Sequence, residues 1–229
     1  MSKVKLISFD CYGTLIDWKK GVQETLRPLF DDYFLDIDDE HIFRLFAEFD
    51  ENLVMGDFMS YDGVLHEVMK RYAQRLNVNI QPSDTGALAE SLPSWPPFED
   101  SVPSLLELKN KGFRLAVISN VDRPLLDKTL ANMDFTFDLI VTSDEIGSYK
   151  PSPENFLEAL RRFHLPVDEI IHVAQSHFHD ILPARDLGIT AAWINRYNDP
   201  VPPLDEEYAG LRFPGLASFV EGLANIEGC

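Results

Sequence analysis

Cysteine is nearly absent from this chain, which has only Cys11 and Cys229. Two thiols so far apart make neither a disulfide framework nor a metal cage, and a reducing cytoplasm is the compartment they suggest. Basic residues are scarce as well: 20 Lys and Arg stand against 38 Asp and Glu, a formal charge of -18. That balance excludes nucleic acid and anionic membrane as partners, because both require a positive footprint to displace counterions. Long apolar runs are missing too. Charges interrupt each of them and the start, MSKVKLISFDC, has no signal-like apolar stretch, so neither secretion nor a membrane span is expected. What remains is 229 residues, 45% hydrophobic and without an internal repeat. That length supports one substantial α/β core, alone or with a smaller appended domain. The acidic field disfavours a small anionic substrate unless Lys or Arg is concentrated where it binds.

Five segments rich in Val, Ile, Leu and Phe read as buried strands: residues 4–10, 114–120, 138–143, 170–175 and 190–195. Helical patterns over Ser101–Lys111, Pro124–Met133, Pro153–Phe163 and Phe178–Leu187 alternate with the last four, as a doubly wound parallel sheet requires. The rhythm breaks between the first strand and residue 101. That stretch is far too long for a connection and carries apolar residues at helical spacing: Leu45, Phe46, Phe49 and Leu53, then Val64, Leu65, Val68, Met69 and Tyr72. It predicts a helical domain, residues 16–97, inserted into a core of 1–15 and 98–229. The hinges fall after Thr14 and in the proline-dense SLPSWPPFED. NDPVPPLDEEYAG reads as a polar connection before a last short helix, Gly215–Leu223.

The strands end in polar groups: Asp10 with Tyr12 and Thr14, then Ser119 with Asn120, Lys150 a little beyond the third, and Gln175, Ser176, His179 and Asp180. Parallel strands bring these ends to one edge, where open α/β sheets bind their ligands. The inventory suits nucleophilic catalysis by Asp10. Lys150 would balance its charge, Ser119 and Asn120 would hydrogen-bond the substrate, and Asp180 would orient Lys150 or a water. Each group also has an ordinary structural reading, as a loop cap, a surface lysine before a turn or a helix N-terminal charge. Tyr12 either lines the pocket or packs under the helical insertion. Cys11 reads as a small buried residue beside the nucleophile, although its position also puts it among the substrate-binding candidates. His177 and His179, two apart in an expected helix, would not face each other, so structural roles are expected for both.

DCYGTL after a strand, SN after the second, GSYKPSPENF, and HVAQSHFHD followed by ARDLG resemble the four motifs of the haloacid dehalogenase superfamily. The likeness is to its 2-haloacid dehalogenase, or type II, branch, and the helical insertion falls where that family has its cap. The resemblance implies a Rossmann-like core and a hydrolase in which Asp10 displaces halide from C2 of a small 2-haloacid, forming an ester that water opens. Thr14, Ser119 and Asn120 would position nucleophile and substrate carboxylate, Lys150 would lower the Asp10 pKa, and Cys11, Tyr12, Arg123 and Ser176 complete the expected substrate contacts. A cap arginine is implied as well: Arg44 is the nearest candidate, and Arg123, in SNVDR just after the second strand, is better placed to reach the crevice. The partner is then a small anionic organic molecule, and a homodimer is left open.

Three alternatives accompany that expectation. SNVDR, GSYKP and HVAQSHFHD also resemble azetidine-2-carboxylate hydrolases, which open a strained ring beside a carboxylate. A magnesium-dependent phosphatase of the superfamily would need the metal held by Asp10, the Tyr12 backbone and Asp180. Phosphatases usually carry a second Asp where Tyr12 stands and an acidic residue where Gln175 stands, so no cofactor is expected to be required, magnesium being the alternative. The third is a non-catalytic small-molecule-binding relative that has kept the fold.

Overall fold

A computed structural model describes residues 4–200 and 211–226. Six parallel strands form one sheet: β1 (Leu6–Phe9), β2 (Arg114–Ser119), β3 (Leu139–Thr142), β4 (Ile170–Ala174), β5 (Thr190–Ile194) and β6 (Arg212–Phe213). Their order is β3-β2-β1-β4-β5-β6, which puts β1 between β2 and β4. The five expected strands are all present. The sixth has only two residues, too few to show any periodicity.

Side chains alternate across the sheet with period two. Ile7, Phe9, Leu115, Val117, Ile171 and Val173 point to one face, and Leu6, Ala116, Ile118, Val141 and Ile170 to the other. The first face is covered by α5 (Ser101–Asn110), α6 (Arg123–Asn132) and α10 (Leu216–Gly222), the second by α8 (Pro153–Phe163) and α9 (Leu182–Asp186). This is the doubly wound α/β fold. A short α7 (Ser143–Ile146) follows β3.

Four α-helices lie between β1 and α5: α1 (Trp18–Asp32), α2 (Asp39–Val54), α3 (Tyr61–Arg75) and α4 (Ala87–Ser91). Asp17, Asp38 and Ser60 cap the first three by accepting from Lys20 N, His41 N and Gly63 N. The apolar stripes of α2 and α3 are buried as their spacing predicts, and α1 adds Val22, Leu26 and Phe30. These side chains belong to the same continuous apolar cluster as the first face of the sheet.

One expectation changes. The helix predicted over Phe178–Leu187 begins instead as a π turn, His177–Ile181, and only then becomes α9. Pro183 has no N–H to give to residue 179, so the α pattern cannot run through that point and the wider turn takes its place. In the NDPVPPLDEEYAG connection, residues 201–210 lie outside the described residues, as does Cys229.

The outgoing and returning passes of the insertion bind each other: Asp17 N donates to Pro96 O at 2.8 Å and Phe98 N to Leu15 O at 3.0 Å. Arg196, just past β5, fastens this junction. Its Nε and Nη2 donate to Thr14 O at 3.0 and 2.8 Å, Nη2 also reaches Asp100 Oδ1 at 2.9 Å, and the guanidinium lies 3.8 Å from the Phe98 ring centre. Asp100 Oδ2 in turn accepts from Leu216 N and Ala217 N at the start of α10. Arg196→Ala leaves the Thr14 carbonyl and the Asp100 carboxylate short of a donor, so it is expected to cost about 2 kcal/mol, a fall in Tm of about 4–8 °C. Arg196→Lys, lacking the fork, should recover only part of this in a thermal melt.

Candidate active site

Asp10 follows β1 directly, and its N–H donates to Val173 O at 3.1 Å, so the sheet itself fixes the nucleophile candidate. Thr14 Oγ1 donates to Asp10 Oδ2 at 2.7 Å and accepts from Gln175 N at 2.9 Å, linking the ends of β1 and β4. Lys150 is 1% exposed and spends its three N–H bonds on Asp10 Oδ1 at 2.9 Å, Asp180 Oδ1 at 2.7 Å and Ile118 O at 2.9 Å. Asp180 Oδ1 also accepts from His172 Nε2 at 2.9 Å, and His172 Nδ1 meets Ser8 Oγ at 2.9 Å. The polar chain thus runs from inside β1 through β4 to the loop after it.

Two buried carboxylates share one ammonium, and they respond differently. Burial raises the Asp10 carboxyl above its ordinary pKa; the pull of Lys150 opposes this and the nearby Asp180 charge adds to it. This corrects the expectation that Lys150 brings Asp10 below the usual value: burial wins. At Asp180 burial also pushes up, but Lys150 and His172 outweigh it and the carboxyl is held low. Burial pulls Lys150 down, and its two carboxylates more than restore it.

These groups form the floor of a cavity of about 100 Å³ beneath the inserted helices. Ser119 lines it; its Oγ accepts from Val121 N at 3.1 Å and keeps its proton free for a ligand. Asn120 lines it too, but its amide clamps the Lys150 backbone, Oδ1 accepting from Lys150 N at 2.7 Å and Nδ2 donating to Lys150 O at 3.2 Å. Tyr12 does both things expected of it. Its ring borders the cavity and meets Trp95 edge-on, and its OH turns away to Thr129 Oγ1 at 2.7 Å. Ser176 also lines the cavity and caps the π turn, accepting from His179 N at 3.1 Å.

Three candidates are elsewhere. Cys11 is fully buried in the apolar cluster and absent from the cavity wall, because its side chain points oppositely to that of Asp10; burial pushes its thiol up. Arg123 starts α6 and turns outward to Asp127 at 2.7 Å and Glu145 at 3.3 Å, so it does not reach the crevice. Arg44 is exposed on α2. Among the described residues, no arginine lines the cavity. The helices contribute Trp18, Asp50, Val54 and Tyr61 to it instead. Tyr61 OH donates to Asp50 Oδ1 at 2.8 Å, and burial raises the Asp50 carboxyl to about 6 against that hydrogen bond. Asp50 lines the cavity and was missed by motif reading, while His179, named at a strand end, was expected to be structural. Asp50 had a signal: it lies four residues from both Phe46 and Val54, a charge on the apolar stripe of α2.

The donor set suits magnesium poorly: Lys150 ties Asp10 Oδ1 to Asp180 Oδ1, Thr14 takes Asp10 Oδ2, and position 175 is an amide. Among the described residues, no three His, Cys, Asp or Glu side chains are grouped as metal ligands. Nor does any described helix have the length and apolarity to cross a membrane.

A family model for haloacid dehalogenase-like hydrolases matches residues 7–194, from β1 through the end of β5. The chain belongs to that family. Among its relatives is an (S)-2-haloacid dehalogenase of Pseudomonas putida, 24% identical over 214 residues and covering 90% of each chain. A glyceraldehyde 3-phosphate phosphatase of Methanothermobacter thermautotrophicus is 38% identical over 101 residues, which is 43% of this chain and 45% of the relative. In fold, the L-2-haloacid dehalogenase of Xanthobacter autotrophicus superposes with a TM-score of 0.81 at 20% identity, covering 97% and 99% of the two chains. As a member of this hydrolase family the chain is an enzyme, and its family likeness spans core and inserted helices together.

Asp50 makes a pH-dependent contribution to stability. Because its folded pKa, about 6, lies above the ordinary 3.8, its contribution is full below about pH 4 and is lost as pH rises through about 6. Asp50→Asn keeps an acceptor for Tyr61 and mimics the protonated form. It should therefore stabilise the protein above pH 6 by about 1–2 kcal/mol, allowing for the partial exposure of the group, with no gain below about pH 4 in denaturant melts.

Proposed function

We propose that the chain hydrolyses a small 2-substituted carboxylic acid at carbon, with Asp10 as nucleophile and a 2-haloalkanoic acid as substrate. The observation that carries this reading is the Lys150 Nζ at 2.9 Å from an Asp10 carboxylate on the cavity floor, with Tyr12 where a phosphatase would need an acid. An Asp10 oxygen attacks C2, the carbon–halogen bond breaks, and halide leaves with the electron pair. No proton is required, so the absence of an acid at position 12 costs nothing. Water then attacks the Asp10 carbonyl, releasing a 2-hydroxy acid and the original carboxylate. Thr14 and Lys150 hold the nucleophile and face the negative charge that grows on its oxygens during hydrolysis. Asp180, ionised and fixed by His172, keeps Lys150 aimed and guides the hydrolytic water. Ser119 hydrogen-bonds the substrate, and the reaction proceeds without a metal. A volume of about 100 Å³ suits an acid of few heavy atoms.

A second reading has its own observation. A leaving halide would be an anion facing Asp50, whereas the protonated ring nitrogen of azetidine-2-carboxylate would be a cation facing it. In that case Asp10 attacks a ring carbon, the strained C–N bond opens, and the nitrogen leaves as a neutral amine.

Single turnover in heavy-oxygen water should place the label in the Asp10 peptide, read by mass spectrometry. Asp10→Asn should lower kcat at least about 10³-fold with the fold intact. Turnover of p-nitrophenyl phosphate only with magnesium, and no label in Asp10, would overturn the reading. Asp50→Asn separates the two substrates: for the imino acid kcat/KM should fall about tenfold relative to 2-chloropropanoate, and an unchanged ratio would reject the second reading.

A further inference from the structure

Lys150 has no hydrogen left for a ligand, and among the described residues the cavity has no arginine, yet the proposed substrate carries a carboxylate. Besides the Ser119 hydroxyl, two donors on lining residues lack a partner among the described residues, Trp18 Nε1 and His179 Nε2, and only the second stands beside Asp180 on the π turn. His179 lines the cavity, and its Nε2 is buried without a hydrogen-bond partner among the described residues. Ser176 Oγ accepts from His179 N at 3.1 Å and lies 3.0 Å from Nδ1, with a hydroxyl proton available to give to that nitrogen. With Nδ1 accepting, the neutral imidazole carries its hydrogen on Nε2.

We propose that His179 is a substrate-binding residue whose Nε2–H donates to the carboxylate of the substrate. The assignment rests on the small-acid reading above and supplies what a cap arginine would have supplied from the other side. Burying an N–H with nothing to accept from it is unfavourable, and a ligand carboxylate in the cavity removes that cost. Burial also lowers the His179 pKa, against the pull of Asp180 and Asp10, with Lys150 lowering it further and Glu51 from α2 raising it. The ring therefore donates as a neutral group and adds no charge beside Lys150. The π turn is what makes this geometry available, since it begins on the Ser176 cap and carries His179 and Asp180 to the cavity on adjacent positions.

Propanoate, which has the carboxylate and no leaving group, is the probe. Calorimetric titration of the intact protein should show saturable binding, weakened about tenfold in His179→Phe and partly recovered in His179→Gln, whose amide restores a donor. In protein labelled with ¹⁵N-histidine, His179 should show the Nε2–H tautomer, and its proton resonance should move on adding propanoate, a test that depends on no variant folding. Unchanged affinity in His179→Phe, no saturable binding to the wild type, or an unmoved Nε2–H resonance overturns the assignment. So does a loss confined to bromide binding, which would give the donor to the leaving group. Propanoate binding needs no chemistry at Asp10: missing label there with these results intact would fault the ester reading alone.

Discussion

A single buried ammonium between two carboxylates organises this molecule. Lys150 sits at 1% exposure paired with both Asp10 and Asp180, and removing the ammonium leaves uncompensated buried charge that costs on the order of 3–5 kcal/mol. The site therefore carries one more negative than positive charge in a low-dielectric setting, and every surrounding hydrogen bond adjusts to that excess. Thr14 donates to one carboxylate and His172 to the other, while the Ile118 carbonyl takes the last Lys150 hydrogen. Asn120, placed to read the Lys150 backbone from both sides, fixes where that charge stands. The asymmetry between the two acids follows from their partners. Asp180 has two donors on one oxygen and is held low; Asp10, with its second oxygen toward a hydroxyl, is left high and more reactive.

Much of this was legible in the residues because buried parallel strands are short apolar runs, and the fold places whatever follows them on one edge. Asp10, Thr14, Ser119, Lys150 and Asp180 could be named from those positions alone, and they converge in the structure. Direction was harder to read than position. Cys11 adjoins Asp10 in the chain and faces the opposite way, and Arg123 lies at a strand end but is turned by the first residues of α6 toward Asp127 and Glu145. His179 was set aside by a rule about α-helical spacing that does not govern a π turn. Asp50 needed a question that motifs do not ask: why an amphipathic helix keeps a carboxylate among its apolar residues.

The helical insertion and the sheet supply different chemistry to one cavity. The sheet side is charged, densely hydrogen-bonded and fixed by strand ends. The helix side offers Trp18, Val54 and Tyr61 around one carboxylate, a drier surface with a single titrating group. The helix-borne residues can change without disturbing the Lys150 network, so on the proposed function they are the ones free to set which molecule enters.

The Arg196 clamp bears on how the protein is made. Thr14 leaves the ribosome 182 residues ahead of the guanidinium that anchors its carbonyl, and the carboxylate holding that guanidinium is itself secured by the amides that open α10. A nascent chain can therefore complete its central strands before the loop after Asp10 is anchored. That anchoring comes late in translation, when the C-terminal segment docks, so shortened products of interrupted synthesis would hold the strands without it.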